Sequence, residues 1–303
     1  MKFALGENVK QSNWGDEGGT RYPQTRMGVD QVVRDSFNAA RDYRRAWEEF
    51  TAGGGKGIPP RVDLKLEALA EIVSGRRLIH CHSYRQDEIL ALMRTCESFG
   101  VKVAVFQHVL EGYKVADVMA RHGAAGSSFA DWWAYKQEAW DAIPYDGALM
   151  REAGVLVSFN SDDAELARRL NLEAAKAVKY GGVPEEEALK FVTLNPAKQL
   201  KIDQYVGSIE PGKSADLVVW SASPLSTLGA CEQTWVDGRR YFDVKEDQEL
   251  RKHNAAMRTA LVQKILGGGE AMDDGAERED RPRDVWGQHA DHAACDCGVV
   301  FKR

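Results

Sequence analysis

The spacing of apolar positions alternates between two periods along most of the chain. Residues 2–6 are apolar enough for a short strand, and residues 7–28, polar and glycine-rich (Gly15, Gly18, Gly19), read as a loop. Val32, Val33, Phe37, Ala40, Tyr43 and Trp47 recur near the 3.6-residue helical period and predict a helix from Val29 to Phe50. Gly53-Gly54-Gly55 and Pro59-Pro60 break it. Asp63 is placed to cap a helix that runs to Ser74 and closes at Gly75. Strands are then expected at Leu78–Cys81, Val101–Phe106, Ala124–Ser128 and Val155–Phe159, and helices over 86–99, 111–122 and 164–180. Pro184 suits the first position of a further helix.

Strand and helix in alternation predict parallel strands joined by helical crossovers. About five such units lie between residues 1 and 180, whereas a closed β/α barrel of this kind needs eight. The expected fold class is therefore α/β, an incomplete TIM-type barrel over residues 1–203. The rhythm changes afterwards. Val206 to Trp220 reads as two short strands around the Pro211-Gly212 turn, and Val236-Asp237-Gly238-Arg239 as a hairpin. These pieces suggest a small β-sandwich portion over 204–245. Residues 246–266 return to helix, and from Gly267 the glycine- and charge-rich tail to residue 303 is expected to be loosely packed or disordered.

Composition narrows the choices. In 303 residues, 44% are hydrophobic and 28% charged, the balance of an ordinary globular chain. The net charge of −6 argues against a nucleic-acid partner. No apolar run approaches the ~20 residues that cross a bilayer. Cys81, Cys96 and Cys231 are scattered and read as small buried hydrophobes, and nothing demands an oxidising compartment. The compartment stays open: cytoplasmic by default, periplasmic or secreted if a preceding segment carries a signal. A homo-oligomer is likewise left open.

Candidate chemistry lies at the strand ends. His80 and His82, then His108, then Asp162 each fall where an apolar strand gives way to a helix. In a β/α barrel those ends converge on one face. Two or three imidazoles with a carboxylate suit a borderline divalent metal, zinc foremost. A bound metal would lower the pKa of a water to about 7. Singly, each residue has a plainer reading: a lone strand-end histidine as a structural hydrogen-bonder, and Asp162 or Asp163 as a helix N-cap. Four at equivalent strand ends favour a shared ion.

The order His-x-His, Gln-His before a helix, and Asn160-Ser161-Asp162 resembles the amidohydrolase superfamily, especially its imidazolonepropionase-like and dipeptidase-like branches. Asn195-Pro196-Ala197, followed by the stretch from Val206 to Val218 (VGSIEPGKSADLV), resembles that superfamily's return from barrel to small β-sandwich. The resemblance covers roughly residues 1–245. It implies His80 as the fifth-strand metal ligand, with His82 beside it as a second ligand or substrate contact. It implies His108 as the sixth-strand ligand and Asp162 as the eighth-strand acid that moves a proton from water to the leaving nitrogen. Lys2 matches the fourth-strand lysine that many members carboxylate to bridge two metals, with Glu7 the rival bridge. One or two ions, most simply Zn2+, and a small-molecule substrate with an amide or cyclic amide bond follow from the same resemblance.

Members of that superfamily also carry a His-x-His pair on the first strand, and no histidine here precedes His80. The expectation is a fragment of a longer product, or strands supplied by another polypeptide, with activity only when the missing segment is present. Arg85 could hold a substrate carboxylate or be a surface charge at a helix start; Tyr84 and Tyr113 are further loop candidates for substrate contact. The aromatic run Phe129, Trp132, Trp133, Tyr135, Trp140 and Tyr145 could line a cleft or only pack a loop. Two rival functions stand beside the hydrolase. One is a non-catalytic remnant that binds without turnover; the other is a metal-binding protein using His289, His292, Cys295 and Cys297, whose spacing matches no common zinc module.

Overall fold

The computed structural model describes residues 1–10, 22–130 and 136–268. Five short parallel strands stand side by side in chain order: β1 (Lys2–Ala4), β2 (Ile79–His82), β3 (Val103–Gln107), β4 (Ala125–Ser128) and β5 (Val157–Phe159). Between β1 and β2 run α1 (Arg26–Ala52) and α2 (Leu64–Val73). The later crossovers carry α3 (Gln86–Ser98), α4 (Ala116–His122) and α5 (Asp146–Glu152). Four short helices follow: α6 (Ala164–Ala167), α7 (Leu170–Gly181), α8 (Glu185–Lys190) and α9 (Leu194–Leu200). The mixed α/β class and the parallel sheet expected from the strand–helix rhythm are present.

Capping explains where several helices start. The Asp63 carboxylate accepts from the Lys65 and Leu66 amides, both at 3.0 Å, as its position before the helix required. Such a cap contributes about 1 kcal/mol. Thr25 does the same for α1, accepting from Gly28 N at 3.0 Å, so that helix begins before Val29.

Pleating sorts the sheet into two faces, because partners in register on neighbouring strands point the same way. Phe3, Cys81, Phe106, Gly126 and Val157 form one continuous row. That face packs on Phe37, Ile89, Met93, Met119 and Met150, all buried, and forms the main core. The opposite face carries Lys2 and His80, and the row Ala4, His82, Gln107, Ser127 and Ser158. Gln199 of α9 seals part of it: Ser158 Oγ donates to its Oε1 at 2.7 Å, and its Nε2 donates to the Leu156 carbonyl at 3.0 Å.

A second sheet is antiparallel: β6 (Leu217–Trp220), β7 (Cys231–Val236) and β8 (Arg239–Asp243). The hairpin expected at 236–239 joins β7 to β8, with Asp237 and Gly238 both at positive φ (49° and 73°), the geometry two-residue hairpins favour. Helix α10 (Val244–Gly267) leaves β8, capped by Asp243, and buries none of its residues.

Several expectations are corrected. Only Leu217–Trp220 forms a strand within Val206–Trp220. The first half instead folds onto α9: Gly207, at φ 93°, lies where a Cβ would stand 2.8 Å from that of Ala197, and Ser214 N donates to the Tyr205 carbonyl at 2.8 Å. The single helix expected over 164–180 is two helices, α6 and α7, with Arg168–Arg169 between them; the Asn171 amide reaches the Pro224 carbonyl at 2.6 Å. Within 111–122 a tight 3-10 turn, Gly112–Val115, precedes α4, and another, Gly6–Val9, interrupts the expected loop. Pro184 is the cap of α8 rather than its first residue. Cys81 and Cys96 are buried as expected, whereas Cys231 is only half-buried. The tail from residue 269 lies outside the described residues.

Asp146 is the most deeply placed acid in this core. It is fully buried, accepts from Gly147 N at 2.6 Å and from the Ser128 hydroxyl, and burial raises its pKa to about 7. A carboxyl whose folded pKa exceeds its unfolded value stabilises the fold below the unfolded pKa, and that stability is lost as pH rises through the folded one. The window here runs from about pH 4 to about pH 7. Asp146→Asn is expected to flatten the pH dependence of Tm across that window and to raise Tm at pH 8. A variant whose Tm still falls over the same range would show that another group is responsible.

Candidate active site

Two registers place the polar residues together. His80 and His82 are two apart on β2 and share its polar face. Lys2 is the register partner of His80, and its ammonium donates to Gln107 Oε1. Gln107 Nε2 lies 3.5 Å from His80 Nδ1, so this one side chain joins the lysine to the histidine. His82 is buried, and the Asn8 amide donates to its Nε2 at 3.0 Å.

His108 follows β3 directly, and Asp162 stands shortly after β5. Both have positive φ, 58° and 49°. Non-glycine residues seldom adopt that region, although His and Asp do so more readily than most, and such backbone gathers at functional sites. The turn brings His108 Nε2 to 3.8 Å from Asp162 Oδ1. Asp163, next in sequence, does the capping: its carboxylate accepts from the Glu165 and Leu166 amides at 2.8 Å each. The two adjacent acids have divided the roles that sequence alone left open.

Aromatic rings wall the pair. The His108 ring lies 5.1 Å from that of His82 and stacks with Tyr84 at 6.1 Å. Tyr84 is fully buried and meets His82 edge-on at 4.8 Å. Phe129 closes another side at 5.7 Å from His108.

This enclosure sets the electrostatics. Burial, and then the His108 charge and Lys136, hold the His82 pKa down at about 3. Burial, and then Lys2, lower that of His108 to about 4. Burial first, with the nearby N-terminus and Lys2 adding to it, lowers His80. Burial raises Asp162 to about 6, against the opposing pull of Lys2 and Lys136. Near neutral pH the imidazoles are therefore uncharged, and Asp162 sits close to its own midpoint.

Neutral imidazole and carboxylate are the donors a borderline metal takes. The 3.8 Å between His108 Nε2 and Asp162 Oδ1 exceeds a hydrogen bond. It is near the ~3.3 Å that two ligands about 2.0 Å from one tetrahedral ion would keep between them. Among the described residues, no three His, Cys, Asp or Glu converge into a metal cage. The chain thus offers one facing donor pair with His82 adjacent.

The other sequence candidates have their own neighbours. Glu7 offers its backbone N–H to Glu138 Oε2 at 3.1 Å. Arg85 pairs with Asp87 at 3.0 Å at the start of α3. The Tyr113 hydroxyl donates to the Asp141 carbonyl at 3.0 Å. Trp140 and Tyr145 are exposed, Phe129 is buried, and Trp132, Trp133 and Tyr135 lie outside the described residues, as do His289, His292, Cys295 and Cys297. Sequence reasoning missed Asn8, Gln107, Lys136 and Asn160, whose amide donates to Ser127 Oγ at 2.8 Å. All but Lys136 were within reach, Asn8, Gln107 and Asn160 each standing one or two residues from a flagged ligand.

In the metal-free protein, imidazole NMR is expected to find His82 and His108 unprotonated down to about pH 5. A midpoint near 6.5 for either ring would mean that it is not enclosed as described.

Comparison with known proteins bears on the same region. Residues 147–247 match the model of the amidohydrolase family. Over 254 residues, 80% of this chain, the protein is 32% identical to Amidohydrolase tasK of Hapsidospora irregularis, spanning 26% of that relative. It is 54% identical over 71 residues to an imidazolonepropionase of Picrophilus torridus, covering 23% of this chain and 18% of the relative. Among solved structures, an amidohydrolase from Thermotoga maritima aligns with a TM-score of 0.72 at 33% identity, over 80% of this chain and 62% of that one. The chain therefore spans about a quarter of the Hapsidospora relative and under two thirds of the Thermotoga one. Together, the motifs at the strand ends and these similarities make the chain similar to members of the amidohydrolase family.

Proposed function

We propose that this chain forms part of a metal-dependent hydrolase that cleaves a C–N bond, in an amide or cyclic amide of a small molecule, with an activated water. Residues 1–203 would contribute strands to a TIM-type β/α barrel, 204–245 part of a small β-sandwich, and 246–303 a helix and tail. The sequential parallel order of the five strands supports the barrel reading. The observation that carries the chemistry is the pairing of His108 and Asp162, from separate strand ends, both at positive φ and 3.8 Å apart.

His108 and Asp162 would hold the ion, with His80 of the neighbouring strand as a further candidate ligand and His82 as a second ligand or a substrate contact. Lys2 or Glu7 is the candidate bridge to a second ion; Lys2 is joined to the cluster through Gln107. When bound, a divalent metal such as zinc polarises the substrate carbonyl and brings the pKa of water to about 7. Asp162 Oδ accepts a proton from the attacking water and returns it to the leaving nitrogen, a task its raised pKa suits. Tyr84 and Phe129 exclude bulk water from the two imidazoles.

A second reading, a relative that binds without turnover, draws on the absence of a three-ligand cage among the described residues. Mutation of the zinc-supplemented full-length protein separates the two. Asp162→Asn is expected to lower kcat by about 10²-fold or more while zinc stays bound, the scale of positioned acid–base catalysis; unchanged turnover would refute its role. His108→Ala should reduce zinc per chain by elemental analysis, and an unchanged stoichiometry would remove His108 from the ligand set.

A further inference from the structure

At the end of the strands opposite the histidine cluster lies a cavity of about 330 Å³. It opens where β3, β4 and β5 begin, walled by Val103, Ala125 and Leu156. Three lysines line it: Lys102, which leads into β3, Lys198 in the last turn of α9, and Lys201, the cap of that helix. No aspartate or glutamate lines it among the described residues. Nor does any of the three ammonium groups have an ion pair there, whereas Lys114, Lys190, Lys213 and Lys252 each hold a carboxylate. In a chain with 46 acidic against 40 basic residues, three lysines kept clear of every carboxylate are unusual company. Lys201 also keeps its charge at φ 62°, a helix end where glycine is the ordinary choice. The floor is cut back to Gly123, Ala124 and Gly154, and a Cβ on Gly123 would stand 3.9 Å from Lys102 Nζ, so that ammonium is turned in over the glycine.

Lysines near helix C-termini ordinarily answer the helix dipole, and α4, α5 and α9 all end on this side. Each helix end carries about −0.5 charge, at most about −1.5 for the three, against +3 from the lysines. The surplus is positive and faces a cavity. We infer that this cavity binds a phosphate group, as the free ion or as a small phosphomonoester. Ammonium groups are compact point charges, and several of them reach a tetrahedral polyanion from different directions without the planar match a guanidinium needs. A carboxylate, with one charge, would leave most of the surplus unanswered. The volume falls at the lower end of the ~300–1,000 Å³ of small-molecule sites, with room beside the phosphate for a short ester group. Because it lies at the other end of the strands, the site is independent of the hydrolytic reading.

Titration calorimetry of the full chain at constant ionic strength and about pH 8, where a phosphomonoester is a dianion, provides the test. Inorganic phosphate is expected to bind saturably with a Kd of about 1 mM or below. Replacing any one of the lysines by glutamine should weaken it about fivefold, the upper scale of an exposed ion pair. Lys102→Gln, Lys198→Gln and Lys201→Gln together should remove it. The same charge taken from α10, by Lys245→Gln, Lys252→Gln and Lys264→Gln, should leave it unchanged. Methyl phosphate binding as tightly as phosphate would assign the site to an ester, and binding about tenfold weaker to the free ion. No saturable heat with phosphate, equally tight binding of acetate, affinity retained in the cavity triple variant, or an equal loss in the α10 variant would each overturn the inference. Should the cavity triple variant not fold, the three single variants still decide.

Discussion

The pleat of the parallel sheet divides the molecule into two chemistries, and everything else is arranged around that division. One row of register partners, Phe3, Cys81, Phe106, Gly126 and Val157, meets the helices. Burying it supplies the hydrophobic driving force that holds the strands in register. A slip of one residue would send His80 and His82 into that core and Cys81 out of it. The packing of the apolar face therefore positions the polar one, which carries the candidate site.

Enclosure then changes what those side chains are. His82 and His108 lie among Tyr84, Phe129 and each other, poor in water, and an imidazolium there would be expensive. The same lack of water raises Asp162, although Lys2 and Lys136 oppose it. One physical cause thus yields neutral nitrogen donors and a carboxylate ready to take and release a proton. The positive φ of His108 and Asp162 is the backbone's contribution, turning each side chain inward where a continued strand would have carried it past.

Much of this was legible beforehand. The 3.6-residue period marked α1, α2, α3 and α10, and β-branched runs between glycines marked the strands, because both signals come from local burial. His80, His82, His108 and Asp162 were visible because each ends an apolar run. Where local signals were equal, the reading failed or stayed divided. Val206–Val218 has the composition of a strand pair, yet its first half folds against α9 through Gly207. Asp162 and Asp163 are indistinguishable in sequence; only the helix that follows makes Asp163 a cap, while Asp162 faces His108.

By itself, the amino-acid sequence determined the alternation of strands and helices, the parallel sheet, the Asp237-Gly238 hairpin and the residues that end each strand. All of these are signalled by patterns among residues close along the chain, even where, as in the sheet, the pairing itself is long-range. Tertiary structure decided the rest: which nitrogen meets which carboxylate, that Gln107 joins Lys2 to His80, that Asn8 holds His82, and that Lys136 stands over Tyr84. Those contacts join residues far apart in the chain, and the distance between them is set by how helices pack on one face of a sheet, which no local pattern encodes.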